Sequence, residues 1–235
     1  MKSTIKIALP LALVTAAFGM TGTAQAATFR CDGHRATIVG TPGADTLVGT
    51  AGSDVIVARG GKDTVRGRGG NDIICAGGGN DTVKGGRGKD VIFGGRGNDT
   101  LSGNDGADTV SGGDGADDVQ GDEGNDTLTG GDGNDTIQGG DGNDTLVGGA
   151  GDDQEAGGLG DDNEQGDGGD DSLHGGGGAD TLAGGAGADQ LCGGQGDDNE
   201  QGDDGNDTIT DDQGVNTVDG GAGDDDVNGV DDSQV

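Results

Sequence analysis

From residue 40 to residue 228 one apolar position recurs every nine residues. Leu47, Ile56, Val65 and Ile74 open a series that ends at Val218 and Val227, with Val, Ile or Leu at 18 of 21 steps. Each is the middle of a triplet such as Thr136-Ile137-Gln138. That pattern suits a short strand whose central residue points one way and whose neighbours point the other. The six positions between triplets are rich in Gly, Asp and Asn, which favour turns through positive φ and local hydrogen bonds. No insertion or deletion disturbs the period, and a fixed period over most of a chain predicts a solenoid. The expected elements are 21 short strands separated by six-residue turns, with one inward residue per nine and a thin core.

The polar positions are as regular as the apolar ones. Two residues before each apolar position stands an aspartate: Asp45, Asp54, Asp63, Asp72, Asp81, Asp90, Asp99, Asp108, Asp117, Asp126, Asp135, Asp144, Asp153, Asp162, Asp171, Asp180, Asp189, Asp198, Asp207 and Asp225, with Asn216 as the one exception. Glycine precedes every member by two, from Gly43 to Gly223. Coils stacked at strand spacing put these carboxylates ~4.8 Å apart, where they repel one another. A cation between successive loops removes the repulsion. The donors are carboxylate and carbonyl oxygens in an irregular cage, which suits calcium better than magnesium with its strict octahedron. His34 and His174, far apart in sequence, make a poor zinc site. The twenty aspartates are the candidate metal ligands. The competing picture is an acidic, disordered, glycine-rich linker, which describes the chain without its cation.

The unit reads G-G-x-G-x-D-x-U-x, with U apolar, as in GGDGNDTIQ at 130–138 and GGDGNDTLV at 139–147. It resembles the calcium-binding nonapeptide of the RTX (repeats-in-toxin) family, and the likeness covers residues 40–228. The resemblance implies an all-β fold, a right-handed parallel β-roll with two repeats per coil, odd and even repeats building opposite sheets. About 10 coils would make a rod of roughly 50 Å. It also implies ions between loops on the same edge, two repeats apart, at most about 19 calcium ions.

Composition sharpens this. Tyr and Trp are absent and glycine numbers 60. One apolar residue per nine buries too little to offset the ordering of so glycine-rich a chain. Folding is therefore expected to require a bound cation. Lys2 and Lys6, the apolar run Ile7–Phe18 and Ala24-Gln25-Ala26 read as a cleaved secretory leader over residues 1–26, against the alternative of a retained anchor. The run is too short to span a membrane, so the protein is expected outside the cell. All ten basic residues after the leader lie between Arg30 and Arg96; residues 97–235 carry 38 acids and no Lys or Arg. Nucleic acid and anionic membranes are thus poor partners. The basic half leaves room for an anionic cell-wall polymer or self-association, or reflects drift at exposed positions.

Cys75 ends its repeat and should face outward, beside the outward apolar residues Val55, Val57, Ile73, Val91 and Phe93. Such a stripe needs a cover. Residues 27–39, with Phe29, Cys31, Ile38 and Val39, are expected to cap the first coil, pinned by a Cys31–Cys75 disulfide; an unpaired Cys31 is the alternative. Cys192, ~30 Å along the rod on the opposite sheet, is out of reach of Cys75 and stays a thiol or links two chains. Glu155, Glu164 and Glu200 break the apolar series. They imply a locally loose solenoid or, alternatively, an extra acidic cation site. Residues 229–235 form a tail.

The function expected is a secreted, non-catalytic calcium-binding protein with a structural or buffering role. The alternative is an appendage related to a toxin, protease or adhesin. Relatives of that kind carry an effector domain before the repeats, and here only about 13 residues separate the leader from the first repeat. No Ser-His-Asp set, zinc-ligand helix or phosphate loop is evident.

Overall fold

The computed structural model describes residues 29–210 and 213–228. The expected leader at 1–26, the first two residues of the cap and the tail at 229–235 lie outside them. Among the described residues there are 24 strands, β1–β24, and no helix.

The chain winds as a right-handed parallel β-roll of about 10 turns. Alternate strands build two parallel sheets of 11 strands, the even-numbered strands from β4 (Thr46–Val48) in one and the odd-numbered from β3 (Ile38–Val39) in the other. Within these two sheets pairing is between residues 18 apart, as Leu101 with Val119 and Val110 with Leu128. Two nonapeptides therefore make one coil, and every inward residue stacks on the inward residue of the coil before. Ile56, Ile74, Ile92, Leu101 and Leu128 are fully buried this way.

The strands are longer than triplets. β14 is Thr136–Asp141, six residues, and takes in Gly139 and Gly140. Position 140 stays in register with Asp122 and Gly158. It does so at φ +116, and a β-carbon there would lie 2.2 Å from the Asp122 carbonyl oxygen of the preceding coil. Glycine thus lets the strand kink and continue where a turn was expected, because the next coil packs directly on its backbone. The true turn shrinks to three residues, such as 142–144.

The core is one residue thick and is not continuous. One apolar cluster runs from Ile38 to Leu146 and a second from Leu173 to Ile209, with Val218 packed against it. Glu155 on β16 (Gln154–Leu159) and Glu164 on β17 (Asn163–Gly168) occupy the gap.

The two ends differ. At the start, β1 (Arg30–Cys31) and β2 (His34–Arg35) form an antiparallel hairpin. β1 packs on β5 (Val55–Gly60) and β7 (Ile73–Gly78). Cys31, buried, is joined to Cys75 with a Cα–Cα separation of 5.8 Å. The Arg59 guanidinium stacks 4.7 Å over the Phe29 ring. At the other end β24 (Asp226–Asn228) leaves Val227 40% exposed, and no comparable cover is seen among the described residues.

Candidate metal centre

Each repeated aspartate sits where a loop enters a strand, and its two carboxylate oxygens have separate environments. Oδ1 accepts the backbone N–H of the aspartate one coil earlier: Asp54 donates to Asp72 at 2.7 Å, Asp108 to Asp126 at 2.6 Å and Asp189 to Asp207 at 2.9 Å. The series continues through the exception, since Asp198 donates to Asn216 Oδ1 at 2.7 Å. Asn216 therefore keeps the positioning half of the aspartate and lacks the second carboxylate oxygen.

Oδ2 is the chemically active half. From Asp63 to Asp189, and at Asp207, it is buried and meets no hydrogen-bond donor. It points at the first glycine of its own loop. A β-carbon on Gly130 would lie 2.3 Å from Asp135 Oδ2 and 2.7 Å from the Gly148 carbonyl oxygen of the next coil. On Gly175 the distances to Asp180 Oδ2 and the Gly193 carbonyl are 2.4 and 2.6 Å. A carboxylate oxygen of one loop and a carbonyl oxygen of the stacked loop thus converge on a hollow that glycine leaves open.

Burial pushes these carboxyls up, against the lowering effect of the backbone N–H bond. Asp72, Asp99, Asp117, Asp153, Asp162 and Asp189 rise to about 6, and Asp90 and Asp126 to about 7. The negative charge of the stacked aspartates adds to the rise, as Asp72 and Asp108 do for Asp90. Orphaned anionic oxygen in a dry row has no protein partner to stabilise it, and a cation supplies one. No cluster of three or more His, Cys, Asp or Glu side chains forms among the described residues. The donor set is instead one carboxylate oxygen per loop beside backbone carbonyl oxygen. It is all oxygen and repeats at strand spacing, and it fits a hard, flexibly coordinated ion.

The first two loops differ from the rest. Asp45 Oδ2 accepts the Thr41 N–H and hydroxyl at 2.5 and 2.8 Å, and Asp54 Oδ2 accepts those of Thr50 at 2.7 and 2.9 Å. A cation at Asp45 or Asp54 competes with these donors. Asp225, at the far end, is half-buried; its Oδ1 accepts from Asp207 at 3.1 Å.

Sequence reasoning missed one set of residues. Where the residue before the aspartate is Asn or Asp it also links coils: Asn125 Oδ1 accepts the N–H of Asn143 at 3.2 Å, and Asp152 Oδ1 accepts that of Asp170 at 3.1 Å. The recurring Asn-Asp pair carried that signal, since both types accept hydrogen bonds from backbone turns. Cys31 and Cys75 lie at the capped end, away from most of the carboxylate rows. Cys192 lies on the opposite sheet, paired in register with His174.

Comparison with curated proteins returns no match. A family model does match, that of the RTX calcium-binding nonapeptide repeat (4 copies), at residues 39–74, 67–101, 76–110, 94–128, 129–164, 165–200 and 201–233. With those matches spanning nearly all of the repeats, and with carboxylate and carbonyl oxygens meeting between coils, the chain belongs to the RTX calcium-binding nonapeptide-repeat family.

Proposed function

We propose that this protein is a secreted, non-catalytic β-roll that takes up several calcium ions between its loops and folds as it does so. One observation carries the reading: the two rows of buried Asp Oδ2 atoms, without donors and aimed at carbonyl oxygens of the stacked loop. Calcium at these points converts a repulsive row into a bridging one. The folding free energy then comes largely from binding.

The ligands in this reading are the aspartates from Asp63 to Asp207, with Asp45, Asp54 and Asp225 weaker for the reasons given above. The leader-like pattern of residues 1–26 supports a location outside the cell. A structural or calcium-buffering role follows from a surface made of the same loop repeated. The acidic half accepts no nucleic acid.

Far-UV circular dichroism of the chain lacking residues 1–26 tests this directly. The expected result is little regular structure in chelator, a rise in β signal with millimolar calcium, and no comparable rise with magnesium. Equal β content in chelator and in calcium would overturn the proposal.

A further inference from the structure

Two consecutive inward positions hold glutamate where the fold buries leucine. Glu155 and Glu164 are 3% and 1% exposed, and none of their carboxyl oxygens makes a well-formed hydrogen bond. The backbone N–H of Gln165 near Glu155, and those of Gly157 and His174 near Glu164, only partly offset the burial that pushes the two carboxyls up to about 9 and about 8. Each side chain leans toward the loop before it. A β-carbon on Gly148 would lie 2.5 Å from Asp153 Oδ2, 2.8 Å from Glu155 Oε1 and 2.9 Å from the Gly166 carbonyl oxygen. On Gly157 it would lie 2.5 Å from Asp162 Oδ2 and 2.7 Å from Glu164 Oε1. In an ordinary loop the same place is taken by carbon: Leu101 Cδ1 is 3.2 Å from a β-carbon on Gly94. Glutamate therefore delivers an oxygen to the hollow that leucine only borders. Glu200 reaches the equivalent glycine, and there its Oε1 accepts the Gly193 N–H at 2.6 Å, so a donor already takes up that oxygen.

We infer that Glu155 and Glu164 are cation ligands, each adding a carboxylate oxygen to the ion held by the loop of Asp153 or Asp162, on opposite edges of the roll. The inference rests on the calcium reading of these loops. Two buried carboxylates facing one another across a thin core are costly without a counter-charge, and an added charged ligand tightens an oxygen-ligated calcium site. The break in the apolar series is then a pair of stronger sites.

The test is hydrogen exchange across a calcium titration, comparing residues 148–171 with residues 112–135 in the wild type, in E155Q, in E164Q and in the double variant. Glutamine keeps the shape and removes the charge. The expected result is that protection of 148–171 in the double variant needs about tenfold more calcium or higher, with 112–135 little changed. The single variants should shift mainly their own loops, 148–153 for E155Q and 157–162 for E164Q. Loss of protection in 148–171 that no calcium level restores would mark the glutamates as structural hydrogen-bond partners of the backbone and overturn the inference. An unchanged or lowered calcium requirement overturns it. If 112–135 shows no calcium dependence in the wild type, the calcium reading fails and takes this inference with it.

Discussion

At the scale of single residues, each proposed calcium site rests on an aspartate and a glycine five positions before it. Gly130 is the clearest case, because its φ is ordinary and only space is at stake. Gly130→Ala would drive a methyl group to within 2.3 Å of Asp135 Oδ2. The expected cost is about 1–3 kcal/mol, with about one fewer calcium bound. Asp132→Ala, at an exposed position of the same loop, should leave both unchanged. Equilibrium dialysis and the calcium midpoint by circular dichroism check both variants. The aspartates also set a pH dependence. Burial raises Asp90 and Asp126 to about 7 and several neighbours to about 6, above the unfolded value near ~3.9. A group raised by folding favours the folded state below its unfolded pKa and loses that contribution as pH rises through the folded pKa. The calcium-free roll should thus gain order as pH falls below about 6, while calcium, competing with protons, should bind more weakly. Circular dichroism in chelator and calcium titrations between pH 8 and 5 should show these opposite trends. Calcium midpoints that stay flat over that range would count against buried carboxylates as the ligands.

At the scale of the element, the strand and its neighbour one coil away form the stable unit, and the ends of the stack decide how it starts. β3 is only two residues long, yet the hairpin of β1 and β2 holds the outer face of β5 and β7 through Cys31–Cys75. The bond closes a sequence separation of 44, which a chain-entropy treatment values at about 4 kcal/mol. Reduction, or Cys31→Ser with Cys75→Ser, should raise the calcium needed for folding several-fold and slow the appearance of β structure. Stopped-flow circular dichroism with and without reductant checks it. Much of this level was legible in the sequence. The period gave the strands and the inward residues, while the two opposite sheets and their 18-residue register came from the resemblance to the RTX repeat. The outward apolar stripe from Val55 to Phe93 located the cover. The strand length was not legible: glycine pairs read as turn, whereas a stacked coil keeps Gly140 in the ladder at positive φ. Nor were the threonine caps on Asp45 and Asp54, since Thr41 and Thr50 acquire their role only once the loop is closed around them. The direction of the inward glutamates was equally hidden, because a repeat pattern says which face a residue takes and not where its end reaches.

At the scale of the molecule, a roll of this kind is close to one-dimensional, and its stability is a sum of local terms. The charge is one such term. Residues 97–235 carry 38 acids and no Lys or Arg, so without divalent ions the C-terminal part repels itself, and screening relieves that only in part. The basic and acidic parts meet at the exposed pairs Arg87–Asp105 and Arg96–Asp114, both at 3.5 Å, which contribute little. The first coil has a disulfide-held cover. The last coils have three-residue strands, β22 (Thr208–Thr210), β23 (Thr217–Asp219) and β24. Asn216 there keeps the N–H bond from Asp198 and offers no second carboxylate oxygen to an ion. Calcium withdrawal should therefore unwind the roll from its C-terminal end. Residues 196–228 should lose hydrogen-exchange protection at a calcium level that still protects 40–147. In Asn216→Asp the added carboxylate should carry the protected boundary toward residue 228, lowering the calcium needed there several-fold, while Cys75→Ser should expose the opposite end without moving this one. Simultaneous loss of protection along the whole length would mean that the coils are coupled far more tightly than their thin core and local ion sites allow. In that case, the division of the apolar core at Glu155 and Glu164 would be bridged by something stronger than side-chain packing, and the ions between the loops would be the first place to look.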